Sequence, residues 1–212
     1  NDDTAVRCGW RAHARMIPFL ILAGGTSSRM GDDDKLFEHV DGVPLLSLQI
    51  DRACQFGGPV YVALPSKDHP RLSLLDGTCA LPLFVASAAE GMGGTLRGAV
   101  PQLPECTAFI VLLADLAALE VADLATVIKA HRDSPDALIW RGTTAEGRAG
   151  HPIIFDASLR PEFEKLSGDN GGNSFVRSQS DRTCFVSLPD DHARLDLDTP
   201  DDWAQWRART GR

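Results

Sequence analysis

The residues that most limit what this chain can become run from Phe19 to Lys35, FLILAGGTSSRMGDDDK. An apolar run from Ile17 to Ala23 leads into two adjacent glycines, a Ser/Thr cluster, an arginine, a third glycine and a lysine. That order describes a buried strand handing the chain to a loop made for an anion. Gly24 and Gly25 carry no Cβ, so the backbone can come close to a ligand, and successive N–H groups in such a turn converge on negative charge. Arg29 and Lys35 add full positive charge suited to phosphate oxygens. Only four of the 21 basic residues are lysines, which sets Lys35 apart from general solubilising charge. Two common phosphate loops are excluded by spacing. Gly31 is followed by Asp32 rather than Lys-Ser/Thr, and the first glycines are adjacent, so neither G-x-x-x-x-G-K-[ST] nor G-x-G-x-x-G is present.

The stretch resembles the signature L-[AG]-G-x-S-x-R-M-G-x-x-K of the molybdenum cofactor nucleotidyltransferases. The match runs through Leu22, Ala23, Gly24, Gly25, Ser27, Arg29, Met30 and Gly31 to Lys35, with a longer acidic insert from Asp32 to Asp34. Five later motifs fall in the order of that family. Gly91-Met92-Gly93-Gly94-Thr95-Leu96-Arg97 is similar to its G-M-x-x-S-L-R turn, which lies along the nucleotide. Asp115 is similar to its metal-binding Asp, although Asp115-Leu116-Ala117 lacks the family's D-x-P proline. Gly150-His151-Pro152 matches a G-H-P turn, and Gly168-Asp169-Asn170-Gly171 matches the acceptor-side G-D-x-G. Asp196-Leu197-Asp198-Thr199-Pro200 matches D-[IV]-D-T-P.

Composition bounds the alternatives. A chain of 212 residues suits one large α/β domain. With 29 acidic against 21 basic residues the net charge is −8, which argues against general nucleic-acid binding. The longest apolar runs fall far short of the ~20 residues that span a bilayer. Five widely spaced cysteines with no C-x-x-C pair point to reduced thiols and a cytoplasmic setting. Residues 1–15 are polar and aperiodic and are expected to form an extension outside the core, with a domain over 16–212 and Met16 as its natural start.

Periodicity orders the rest. Residues 44–56 read as a helix, 60–64 as a strand, and 81–85 as a further short strand. The run 108–115 reads as a central strand ending on Asp115, and Val121, Leu124, Ala125 and Ile128 mark a helix over 121–132. Strands are expected at 137–140, from Pro152 and at 183–188, and short helices at 157–166 and about 173–179. Thr199, Pro200 and Asp202 form a strong start for a final helix, which Trp203 and Trp206 would pack onto the core. Strands alternating with helices predict a single-domain α/β fold. Its sheet is expected to be mainly parallel but mixed, with helices on both faces, as in a Rossmann-like nucleotidyltransferase.

The resemblance implies transfer of a nucleoside monophosphate from an NTP to the phosphate of molybdopterin, with release of pyrophosphate. Arg29, Lys35 and Asp115 are then the catalytic residues. Leu22, Ala23, Gly24, Gly25, Ser27, Arg29, Gly31, Lys35, Gly93, Thr95 and Arg97 would hold the nucleotide. His151, Asp169 and Asn170 would face the acceptor, and Asp115 with Asp198 would hold Mg²⁺. Asp196 and Asp198, one residue apart on a strand, point the same way. The Leu22-Ala23-Gly24-Gly25 turn resembles the guanylyl branch of the family, whereas the motifs at 91–97, 150–152, 168–171 and 196–200 lean towards the cytidylyl branch, so CTP is favoured over GTP. The acceptor alternatives are a sugar phosphate or another phosphorylated metabolite. A non-catalytic nucleotide-binding domain is the alternative from a different class. A molybdoenzyme client or cofactor chaperone would be the further partner.

Overall fold

The computed structural model describes residues 17–31, 33–168 and 171–212. The expected N-terminal extension, Asp32, Asp169 and Asn170 lie outside the described residues. The strands are β1 (Phe19–Leu22), β2 (His39–Val40), β3 (Val43–Pro44), β4 (Val60–Leu64), β5 (Ala80–Phe84), β6 (Ala108–Leu113), β7 (Ile139–Thr143), β8 (Ala149–Asp156) and β9 (Thr183–Ser187). The α-helices are α1 (Leu45–Cys54), α2 (Met92–Ala99), α3 (Val121–Asp133), α4 (Arg160–Phe163), α5 (Gly171–Ser178) and α6 (Pro200–Thr210).

Among the described residues, seven strands form one sheet in the order β5-β4-β1-β6-β8-β7-β9, and β2 and β3 pair separately. β5, β4, β1 and β6 run parallel, as do β7 and β9. β8 runs against both β6 and β7. The predicted mixed, mainly parallel sheet is thus present. β8 lies antiparallel to its neighbours, so its first residues meet the carboxyl end of β6, the edge where ligands bind in such sheets.

Alternation along the strands explains the two covered faces. Phe19 and Ile21 of β1 and Ala108, Ile110 and Leu112 of β6 pack with α1, α3 and α6 on one side. Leu20, Phe109 and Val111 point to the other side, towards α2, α4 and α5. Burying both faces is what makes these strands read as continuous apolar runs. Trp203 and Trp206 of α6 are buried in the first layer, and Thr199 accepts a hydrogen bond from the Asp202 N–H while the Asp202 side chain accepts from the Thr199 N–H.

One expectation fails. Cys54 and Cys79 form a disulfide, their Cα atoms 6.3 Å apart, whereas reduced thiols were expected throughout. Their separation of 25 residues conceals that the end of α1 comes to lie beside the chain entering β5. Cys106 and Cys184 are free.

Candidate active site

β1 delivers the loop as its sequence implies. Arg29 and Met30 sit in a 3-10 turn, Ser28–Met30, between Ser27 and Gly31, and both flanking residues have positive φ. Gly31, with φ +70° and no atom near the position of a Cβ, supplies the sharp exit that a side chain would strain.

What fixes this loop was not visible in its sequence. Arg71, buried from water, lies in the 3-10 turn Pro70–Leu75, which His69 caps and Pro70 opens. Its guanidinium donates to Asp34 Oδ2 and Oδ1 at 2.7 and 2.8 Å, to the Ala23 carbonyl at 2.6 Å and to Ser27 Oγ at 3.0 Å. Asp34 also accepts from Ser27 Oγ at 2.9 Å and from the Leu36 N–H at 3.0 Å. Burial alone would raise the Asp34 pKa, but hydrogen bonds from Arg71 and Leu36, the Arg71 charge and the Ser27 hydroxyl outweigh it and hold the carboxyl below its ordinary value. The acidic insert therefore supplies the anchor that ties both ends of the loop to one buried arginine.

Beyond the loop, Lys35 Nζ lies 2.6 Å from both Asp115 Oδ2 and Asp198 Oδ1, and Arg29 Nη1 lies 2.8 Å from Asp198 Oδ2. Burial would make the ammonium a stronger acid, yet the attraction of Asp115 and Asp198 prevails and raises its pKa. Asp196 completes a trio of carboxylates, each offering one oxygen within 4.8 Å of the others. Burial first, then the charges of Asp115 and Asp198, raise the Asp196 pKa. The turn carrying Asp115 is held from two sides. Leu116 makes an isolated bridge with Asp196, and the buried Gln49 side chain donates to the Leu116 carbonyl at 2.6 Å. These contacts stabilise a turn that lacks the expected proline. Asp115 Oδ1 is buried without a hydrogen-bond partner among the described residues. The three carboxylates offer an all-oxygen donor set suited to a hard divalent cation.

A cleft of about 680 Å³ opens beside this trio. Leu22, Gly24, Gly25 and Arg29 line it from the loop, Leu113 and Asp115 from the end of β6, and Pro65, Ala88–Met92 and Thr95 from the opposite wall. Ala23, Lys35 and Arg71 line a smaller recess behind, together with Asp115. Gly93 is buried at the start of α2, where its N–H donates to the Gly168 carbonyl at 2.9 Å, so a side chain there would strike the 167–168 backbone.

The structure therefore gathers Leu22, Gly24, Gly25, Arg29, Thr95 and Asp115 around one cleft, with Ala23, Lys35 and Asp198 beside it. Gly31 and Gly93 do not line it, and three further expected residues have other surroundings. Ser27 faces Asp34 and Arg71. Arg97 does not line the cleft; it holds Glu90 at 2.6 and 2.7 Å and the Leu166 carbonyl at 2.9 Å. His151 lines an apolar recess with Leu96, Phe155, Phe163 and Phe175, and Met92 lines both this recess and the cleft. Arg71, Asp34 and Gln49 were not anticipated. Their partners lie 37 and 67 residues away, a distance no local spacing encodes.

Comparisons with known proteins place the fold among related structures. The structure is similar to that of Rv0371c from Mycobacterium tuberculosis H37Rv, with a TM-score of 0.74 and 26% identity over 92% of this chain and 98% of that one. A second structure of Rv0371c, complexed with manganese, gives a TM-score of 0.70 and 25% identity over 90% and 97% of the two chains. Among curated sequences, the bifunctional protein GlmU of Legionella pneumophila (strain Corby) is 28% identical over 124 residues, covering 57% of this chain. The chain spans about a quarter of the length of that relative, 26%. The family described as the MobA-like NTP transferase domain matches residues 19–183, from the first residue of β1 to the first of β9. Because that match covers well over half of the chain, the chain belongs to the MobA-like NTP transferase family.

Proposed function

We propose that this protein transfers a nucleoside monophosphate from an NTP to a phosphate on a small acceptor, releasing pyrophosphate. The nucleotidyltransferase class follows from family membership. The finer reading takes CTP as the favoured donor, GTP as its competitor, and molybdopterin as the acceptor, on the strength of the motif resemblance. A cytoplasmic setting, where NTPs are abundant, and a molybdoenzyme client or cofactor chaperone belong to the same proposal. Among the described residues no helix is long and apolar enough to cross a membrane. The observation that carries the reading is Lys35, 2.6 Å from both Asp115 and Asp198, beside a cleft floored by Gly24 and Gly25.

The chemistry requires little from the protein beyond placement and charge. An oxygen of the acceptor phosphate attacks the α-phosphorus. The bond to the oxygen shared with the β-phosphate breaks, and its electron pair departs with pyrophosphate. A phosphate monoester is already largely ionised near pH 7, so no side chain has to take its proton. Backbone N–H groups at Gly24 and Gly25, with Arg29 and Lys35, would steady the β- and γ-phosphates as charge builds on the leaving group. Asp115, Asp196 and Asp198 would hold Mg²⁺, which when bound offsets phosphate charge. Asp169 and Asn170 remain part of the proposed acceptor contacts, and His151 an outer contributor.

The test supplies purified protein with Mg²⁺ and molybdenum cofactor, offers CTP, GTP, ATP and UTP separately, and measures pyrophosphate. Release with CTP above GTP supports the full reading. Equal inactivity with all four, with NTP still bound, would favour a non-catalytic nucleotide-binding domain. Lys35→Gln and Asp115→Asn should each lower turnover at least about 100-fold with the fold intact, the scale expected when one preorganised charge at the reacting phosphates is removed.

A further inference from the structure

The nucleotide cleft and the carboxylates leave one charged cluster without a role. Arg141 lies on β7, whose register places it opposite Ile153 of β8, and Ile153 in turn faces Val111 of β6. Arg141 thus stands two strands from the strand that ends at Asp115, about 10 Å away. Arg194 precedes Asp196 by two residues. Both arginines are tethered to the first residues of β8: Arg141 Nε donates to the Gly150 carbonyl and Arg194 Nη1 to the Ala149 carbonyl, each at 3.0 Å. The chain before Asp196 is pressed onto the same spot, because the His151 N–H donates to the Ala193 carbonyl at 2.9 Å and a side chain at Gly150 would collide with it. The two guanidinium groups are therefore held near one another while their remaining N–H groups stay available.

Among the described residues, no acidic side chain offsets the cluster. Arg29, Arg71, Arg97, Arg148, Arg207 and Arg212 all pair with carboxylates. Among the described residues no carboxylate pairs with Arg141, Arg194 or Arg177 of α5, although acidic residues outnumber basic ones 29 to 21. The three are close enough to act on each other: burial, then Arg194, then Arg177 lower the proton affinity of Arg141. Burial and the same arginines, Arg141 before Arg194, hold His151 neutral by pushing its pKa down to about 3. Holding like charges together costs free energy that a bound anion would recover.

Position indicates which anion. The cleft is built from β1, the end of β4 and the end of β6, whereas the arginines stand on the β8–β7 side, with Asp115, Asp196 and Asp198 between. A donor on one side of the carboxylates leaves the other side for the second substrate. We propose that Arg141, Arg194 and Arg177 form an anion site that binds a phosphate-type group of the acceptor. The assignment to the acceptor rests on the nucleotidyl-transfer reading; the existence of the site does not.

Inorganic phosphate, titrated calorimetrically at constant ionic strength, is the probe. Wild type and the exposed Arg132→Gln should bind it alike, whereas Arg141→Gln/Arg194→Gln should bind at least about tenfold more weakly, with Arg→Lys at the same positions intermediate. Should the double variant melt early, the exposed Arg194→Gln and Arg177→Gln, taken singly, carry the same comparison. Binding unchanged by the substitutions at 141, 194 and 177, absent from wild type, or lost equally in Arg132→Gln overturns the proposal. Titration of wild type with CTP and GTP runs alongside. Failure of NTP to bind while phosphate still follows the arginines removes the nucleotidyl-transfer reading and leaves the anion site standing.

Discussion

Replacing Arg71 by methionine should detach the phosphate loop from the body of the protein. The side chain is 2% exposed and makes four hydrogen bonds, two to Asp34, one to the Ala23 carbonyl and one to Ser27. Methionine fills similar space but donates nothing, so Asp34 keeps its charge without its partner. Breaking a buried ion pair by deleting one member costs about 3–5 kcal/mol. Asp34 is 28% exposed and retains the Ser27 and Leu36 contacts, which places the expected loss at the lower end, about 3 kcal/mol. Urea denaturation of wild type, Arg71→Met, Asp34→Asn and the double variant measures it, and the double variant should lose less than the two single losses added together. The effect also has a pH signature. Because the folded Asp34 pKa lies below its unfolded value near 3.9, its contribution is complete above about pH 4 and disappears as pH falls through the folded value. The gap between wild type and Arg71→Met should therefore narrow in acid. A loss below about 1 kcal/mol, or a gap unchanged between pH 7 and 3, would refute the role given to this arginine.

Three further outcomes are expected. The His151 pKa is depressed to about 3, so below its unfolded value near 6.5 the unfolded chain takes up a proton that the native state refuses. Stability should then fall with decreasing pH by at most about 1.4 kcal/mol per unit, and chemical denaturation of His151→Gln should show a flatter profile between pH 6.5 and 4. Reducing Cys54–Cys79, or replacing Cys54 by serine, should cost about 3–4 kcal/mol, the loop entropy for a separation of 25 residues, read as a lower urea midpoint in dithiothreitol. Unchanged midpoints would show that the bond closes no costly loop. Gly24→Ala would put a methyl group 3.2 Å from Ala88 Cβ and 3.6 Å from Thr95 Oγ1, narrowing the cleft wall. The ratio of GTP to CTP turnover should fall severalfold, and a rise would place the base elsewhere.

Much of this molecule is legible in one dimension because its elements carry local signals. The apolar runs become β1 and β6 because both faces of the sheet are covered, and the Thr199-Pro200 start of α6 is decided by atoms within one turn. The loop residues from Leu22 to Arg29 similarly announce their chemistry through glycine and charge. Arg71, Gln49 and Cys54 do not, because each acts on a residue brought near only by the assembled sheet. Arg97 shows the converse. Its place in a recognisable turn suggests a ligand contact, while its distant partner, the Leu166 carbonyl, could not be read from that turn. Asp115 lacks the proline anticipated beside it, and the bridge to Asp196 supplies the constraint from a segment far along the chain.

That same bridge bears on where the working unit ends. The family match closes at Thr183, before β9 is complete, whereas Asp196 and Asp198 come later and are secured by His192, which lies 2.8 Å from the buried Asp123 of α3. A version trimmed at 183 would forfeit an edge strand and the α6 tryptophans, and would leave Lys35 with Asp115 as its single remaining carboxylate. The smallest fragment that keeps both carboxylates on its central lysine must extend at least through Asp198. A domain boundary taken from the matching segment would cut away part of the site it was meant to contain.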